Sequence, residues 1–460
     1  MLFTTWPFAG FLAAVLILFY LLPRSSRRYL LLTASLLFYM AWKARFVFLI
    51  LALIAVDYTA ARVIGAQSGR RRKLALLASL AANFGLLAWF KYADLLRDTW
   101  LHLAQPGVPI QPLHIILPLG ISFHTFQSVS YVIDVYRGEQ PVVTSFIDYA
   151  LFVSFFPQLV AGPIVRAREF FVDLWNWKQP IAAEWMLGVE TILIGLAKKL
   201  IFADQFGFIA DRYFNNPAAL PGFLPAWSGA IAFALQIFFD FSGYTDIAIG
   251  VALLFGFHFP ANFRRPYFAA SMAEFWRRWH MTLSRWLRDY LYIPLGGNRR
   301  GPLHTYVNLM LTMLLGGLWH GASWTFVLWG GYHGALLVIE RLLRGRHEPQ
   351  GLTRIPLGVL TFLLVCVGWV LFRAQTLDRS AYVLAQMFSP STGDTMWTRW
   401  QLLLALLALV LGLAEEYRKV FTRLAHAPPW LRAAAAVILL LAIELFTASD
   451  TPIPFVYFQF

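Results

Sequence analysis

Long apolar runs separated by short polar ones dominate this chain. Windows close to the roughly 20 residues a helix needs to cross a bilayer recur at 6–22, 29–42, 46–64, 74–91, 113–135, 185–205, 227–257, 303–319, 322–341, 355–373, 400–416 and 432–448. In lipid every backbone amide must find its partner within the segment, so such runs become helices. The pattern predicts an all-α polytopic membrane protein with about 11 or 12 crossing helices. The second run is short, and 29–64 is expected to form a tight hairpin around Lys43, Ala44 and Arg45. Segment 146–168 is apolar but broken by Pro157, Gly162 and Pro163, and it carries Gln158. Helix breakers at membrane depth are tolerated where backbone is buried in protein or lines a cavity, so a re-entrant segment is expected there. The first run, Trp6 to Leu22, lacks a charged leader and a small-residue cleavage site, and reads as a retained span.

Composition agrees on the solvent. Of 460 residues, 59% are hydrophobic and 13% charged, against about 25% charged in soluble domains. The net charge of +14 does not point to nucleic acid. Its Lys and Arg fall in short clusters between apolar runs, at Arg24 to Arg28, Arg70 to Lys73, Arg264-Arg265, Arg341 to Arg346 and Arg418-Lys419. That is the positive-inside pattern of cytoplasmic loops. Alternation then places the N-terminus and the loops near 98–112, 206–225 and 376–398 on the far side. A basic cytoplasmic face attracts anionic lipid and an acidic acyl donor such as a coenzyme A thioester or acyl carrier protein. Cys366 is the single cysteine, which excludes an intramolecular disulfide and a multi-cysteine metal site. No metal site and no bound cofactor are expected. One membrane domain is the economical reading: a core over 1–375, and over 376–460 a loop followed by an accessory helix pair.

Candidate chemistry concentrates between 236 and 334. Asp240-Phe241-Ser242-Gly243-Tyr244-Thr245-Asp246 sits inside a long apolar run, and carboxylates at that depth should face a cavity or a partner, not lipid. Those partners are expected to be other helices and nearby arginines. Residues 275–290, from Phe275 to Tyr290, read as one helix lying at the membrane surface. Trp276, His280, Leu283 and Leu287 share its apolar face; Arg277, Arg285 and Arg288 share its polar one. The third cluster is Gly316-Gly317-Leu318-Trp319-His320-Gly321. A histidine between two apolar runs has little reason to exist for stability, and imidazole can take and return a proton near neutral pH. His333, thirteen residues on and about 220° around a continuous helix, is not nominated.

The run from Phe275 to Pro294 and the Leu318-Trp319-His320-Gly321 motif resemble the membrane-bound O-acyltransferase family. Phe156-Pro157-Gln158-Leu159, Ala161-Gly162-Pro163-Ile164, the Asp240 to Asp246 block and Leu295-Gly296-Gly297-Asn298-Arg299 match as well. The likeness covers nearly the whole chain and is densest over 120–334. It implies a helical ring around a membrane-spanning chamber, with donor entering from the cytosol and acceptor from the other side. It makes His320 the family's near-invariant histidine and His280 its second catalytic position, where histidine marks the bacterial polysaccharide-modifying branch. Asp240, Ser242, Tyr244, Gln158, Arg277, Trp279, Arg285 and Trp319 become the candidates for chamber or substrate-binding roles. The implied reaction moves acetyl from a cytosolic thioester, acetyl-CoA in the first instance, to an extracytoplasmic polysaccharide, directly or through a periplasmic acetyltransferase partner. His320 is the expected general base, and His280 would orient the donor or stabilise the oxyanion. Alginate is the first acceptor the resemblance suggests; cellulose, peptidoglycan and D-alanylated teichoic acid are alternatives. The expected setting is the bacterial inner membrane, with the N-terminus periplasmic. A transporter or channel is the rival class, since broken helices and midplane polar groups also mark transporters, and a scaffold for a periplasmic transferase is a third.

Overall fold

A computed structural model describes residues 1–105, 111, 113–159, 161–345, 347–447 and 453–459. Most of the second half of the loop expected at 98–112, and Arg346, lie outside the described residues. Within them the chain is helical, with no β-strand. Seven stretches are long and apolar enough to cross a membrane: Arg24–Ala66, Gly69–Ala104, Phe223–Leu254, Trp324–Arg344, Gly351–Arg373, Arg399–Arg418 and Pro429–Phe446. The chain is thus a multi-pass membrane protein. The stretches are fewer than the twelve apolar runs for two reasons. Arg24–Ala66 joins two runs, with two 20-residue helices meeting at a 3-10 turn over Ala44–Phe46, where the hairpin is expected. Trp6–Leu21, Ile121–Arg137 and Ala182–Ala197 are only 16 or 17 residues long, Pro302–His320 is diluted by polar residues such as His304, Thr305 and Asn308, and Ile121–Arg137 buries His124, Gln127, Ser128 and Asp134 inside the protein.

Two compact units emerge, Met1–Val189 with Ala248–Pro260, and Glu190–Ile247 with Ala261–Phe460. In the first, helices Val47–Ala66, Gly69–Leu87 and Ile121–Arg137 pack together. Their polar groups meet in the interior, where Asp57 accepts from Ser79 Oγ at 2.6 Å and Asn83 Nδ2 at 2.8 Å. Segment 146–168 is broken, as expected: Phe146–Ser154 ends at a non-helical Phe155, and a four-residue helix Phe156–Leu159 follows. From Asp148 to Leu159 every residue is buried, which is how lipid-depth backbone survives a break.

The second unit holds the histidines. Pro302–His320 and Trp324–Arg344 form a hairpin whose backbones touch. A Cβ on Gly317 would lie 2.3 Å from the Phe326 carbonyl oxygen, and one on Gly330 would lie 2.3 Å from that of Met313. Small residues at such crossings let membrane helices approach closely. Arg399–Arg418 and Pro429–Phe446 belong to this unit and pack on the turn at Lys198–Ala203 through Leu404, Leu439 and Ile443. Their other faces expose Leu403, Leu407, Ile438 and Leu441, a surface suited to lipid. The expected loop at 376–398 contains a ten-residue helix, Leu377–Gln386.

Candidate active site

The single surface helix expected over 275–290 does not form. Met272–Arg278 stops at Trp279, His280 adopts left-handed backbone (φ 41°, ψ 53°), and Met281–Leu287 begins anew. A non-glycine residue in that region is uncommon and persists where its surroundings over-determine it. Here they do. The Met281 N–H donates to the Asn262 carbonyl at 2.9 Å, and Arg264 N–H to that of Arg278 at 2.9 Å, pinning the chain at 262–264 against the break. The expected polar face is dispersed accordingly. Arg277 is exposed and pairs with Glu348. Arg278 turns inward to Glu274 at 2.7 Å and Glu416 at 3.0 Å. Arg285 is half-buried, and Arg288 reaches its neighbour Asp289.

The break delivers His280 into the protein interior, fully enclosed. Its Nδ1 lies 3.2 Å from Asn262 Oδ1. The same oxygen accepts from the Thr282 N–H at 3.1 Å and pairs with Thr282 Oγ1 at 2.9 Å. A backbone N–H can only donate, so the Asn262 atom it faces must be the oxygen. That oxygen in turn requires the proton on His280 Nδ1, which leaves Nε2 with its lone pair as an acceptor. Burial pushes the His280 imidazole down to about 3, so the ring is neutral at physiological pH.

His320 is the last residue of Pro302–His320. A Cβ on the next residue, Gly321, would strike the Phe326 ring at 2.1 Å, so glycine there lets the chain close onto Phe326. The His320 ring lies among Trp319 (centroids 5.0 Å apart), Trp329 (5.1 Å), Phe372 (5.4 Å) and Tyr457 (5.8 Å), with His280 at 6.4 Å. Two histidines forty residues apart are thus adjacent. His333 is on the next helix, Trp324–Arg344, so the angle drawn on one continuous helix does not apply. It also packs on Trp329, at 4.8 Å, and against Trp276 and Phe275.

Asp240 belongs to a buried charge cluster. Its Oδ1 is 2.9 Å from Lys199 Nζ, which also meets Asp204 at 2.7 Å. Asp246 pairs with Lys198 at 2.5 Å. The carboxylates' partners are therefore lysines, where arginines were expected. Asp240 Oδ2 accepts the Val456 N–H at 2.6 Å, and this seats the Phe455–Tyr457 segment, with Phe455 against Tyr244 at 4.7 Å and Tyr457 against Phe241 at 4.6 Å. Phe241 in turn lies 4.8 Å from His280. Ser242 is buried in the same helix.

Of the candidates, the structure therefore gathers His320, His280, Trp319, Asp240 and Tyr244 around Phe241 and Tyr457. Trp279 packs behind them against Trp369 at 5.0 Å. Gln158 belongs to the first unit, where its amide donates to the Phe152 carbonyl. Sequence reasoning missed Asn262, Lys199, Asp204 and Tyr457. Lys199, in the Lys198-Lys199 pair inside an apolar run, could have been found by the rule already applied to Asp240. Asn262 and Tyr457 carry no local signal.

The sequence comparison bears independently on what kind of membrane protein this is. The membrane-bound O-acyltransferase family model matches residues 138–375, which include both histidines, and the chain belongs to that family of enzymes. Among curated relatives it is 46% identical to the probable alginate O-acetylase of Azotobacter vinelandii, over 84% of this chain and 77% of that one. It is 44% identical to the protein of that name from Pseudomonas aeruginosa, over 85% and 74%. The peptidoglycan O-acetyltransferase of Helicobacter pylori is 38% identical, over 78% and 73%.

Proposed function

We propose that this chain carries acetyl from a cytosolic thioester, acetyl-CoA in the first instance, across the inner membrane to hydroxyls of alginate, handing it to a periplasmic acetyltransferase or to the polymer itself. The reading rests on the adjacency of His280 and His320, with ring centroids 6.4 Å apart. A hydroxyl attacks a thioester carbonyl efficiently when a base removes its proton in the transition state. His320 fills that role: it is 6% exposed where His280 is wholly enclosed, and the carbonyls ending its helix favour the cation formed on proton transfer. His280 acts as an acceptor. With its proton committed to Asn262, Nε2 has no hydrogen to offer an oxyanion, so it orients a donor group, either the incoming hydroxyl or the His320 N–H. This reading replaces both roles expected from sequence, orientation of the acyl donor and stabilisation of the oxyanion. Alginate is preferred over peptidoglycan as acceptor because the relatives named for alginate are the more similar, at 46% and 44% against 38%. The N-terminus is assigned to the periplasmic side by the positive-inside bias.

The acceptor is tested in cells. Alginate from a strain lacking this chain is expected to lose its O-acetyl signal in proton NMR and to regain it on complementation. Unchanged alginate beside deacetylated peptidoglycan would reject alginate as the acceptor.

A further inference from the structure

The first unit contains a cavity of about 450 Å³ that plays no part in the chemistry above. Arg24, Arg27 and Arg28, from the first turn of Arg24–Lys43, line it, with Asp148 as its one acidic lining residue, so two positive charges are in excess. The helix start adds to this field. Its N-cap is Pro23, without a side-chain cap, so first-turn N–H groups and the positive end of the helix dipole point the same way as the arginines.

Arg24 and the Arg28 side chain keep solvent exposure, but Arg27 is held among aromatic rings. The Arg27 guanidinium lies 4.4 Å from the centre of the Trp177 ring and 4.8 Å from that of Phe19, and Arg24 lies 5.2 Å from Trp177. Such stacking pre-organises the planar fork and leaves its edge for an acceptor. Arg27 Nε donates to the Leu22 carbonyl at 3.2 Å, and Arg28 Nη1 meets Asp148 at 3.3 Å. Yet Arg27 Nη1 and Arg28 Nε are enclosed and bond to no protein acceptor among the described residues. An enclosed guanidinium donor without an acceptor is costly. Apart from Ser25, the rest of the wall is aliphatic or aromatic, including Leu31, Leu174 and Phe257. The three guanidinium groups lining the cavity supply positive charge for a phosphate, and the wall supplies an apolar face for a hydrocarbon chain. It lies at the link between the apolar helices Trp6–Leu21 and Arg24–Lys43, where a membrane protein meets headgroups.

We propose that this cavity binds a phosphate-bearing ligand, the headgroup of an anionic phospholipid, with the phosphate between Arg27 and Arg28 and an acyl chain along the apolar wall. Basic pockets between membrane helices recognise such headgroups, and guanidinium forks match phosphate geometry. A soluble phosphate compound, such as the coenzyme A of the acyl donor, would satisfy the arginines but leave the apolar wall uncovered.

The test uses the full chain in neutral detergent, read by thermal midpoint and by native mass spectrometry. Phosphatidylglycerol, phosphatidylcholine, inorganic phosphate and coenzyme A are compared at equal concentration. Phosphatidylglycerol is expected to raise the midpoint and remain bound, and the other three to do neither. Arg27→Gln and Arg28→Gln are each expected to weaken phosphatidylglycerol binding about tenfold or more, while Arg70→Gln, an exposed basic residue outside the cavity, leaves it unchanged. Arg27→Lys, which keeps the charge, separates lost binding from failed folding by retaining the wild-type midpoint in phosphatidylcholine. Equal stabilisation by both lipids, retention of coenzyme A in place of lipid, or full binding by both glutamine variants would overturn the proposal.

Discussion

His320→Ala is expected to lower acetyl transfer by about 10²–10⁴-fold, the usual contribution of a positioned general base, while the protein still inserts and folds. The imidazole is held by ring contacts with Trp319, Trp329, Phe372 and Tyr457, and the hairpin around it is set by Gly317 and Gly330, so truncating the ring leaves the backbone crossing intact. His333→Ala is the informative contrast. That ring is fully buried between Trp276, Trp329 and Tyr332, so its loss leaves a void and lowers the thermal midpoint, yet turnover per folded molecule should stay near wild type. Turnover normalised to folded protein checks both variants. Wild-type turnover in His320→Ala would remove that residue from the chemistry.

Lys199→Met should cost about 3–5 kcal/mol of stability, as expected when one partner of a buried ion pair is removed. Lys199, Asp204 and Asp240 are almost wholly enclosed, with side-chain exposures of 5% or less. The lysine is the cation both carboxylates share. Without it two buried negative charges face each other. Since Asp240 also fixes the Val456 N–H, displacement of the Phe455–Tyr457 segment from the histidines should accompany the loss. Adding Asp240→Asn to Lys199→Met removes one stranded charge and should recover part of the loss, giving a coupling that a double-mutant cycle reads directly. A thermal midpoint in detergent that does not move for Lys199→Met would show the triad to be energetically idle.

The class of fold was legible in the sequence because the solvent writes it. A crossing helix must be apolar over its length, and the runs around 46–64, 227–257 and 355–373 return as Val47–Ala66, Phe223–Leu254 and Arg354–Arg373. His320 was legible for the same reason, since an ionisable group at the end of an apolar helix is expensive unless used. What local pattern could not show is where a helix fails. Residues 275–290 have a helical period, but long-range bonds from 262–264 to 278–282 override it. That break is what carries His280 from the apolar face of an expected surface helix into the interior. Asn262, eighteen residues away in sequence, sets the tautomer through a contact that no spacing rule encodes. Lys199 escapes because lysines read as loop markers, whereas the Lys198-Lys199 pair lies inside the apolar run 185–205.

The central claim is acyl transfer by an internal histidine pair. Its most direct measurement uses vesicles containing the purified chain, with acetyl-labelled coenzyme A outside and alginate oligosaccharide together with a periplasmic acetyltransferase inside. Labelled O-acetyl ester is expected on the enclosed oligosaccharide, dependent on His320 and on the thioester. Label that crosses as free acetate, or ester formation that persists in His320→Ala vesicles, would contradict it.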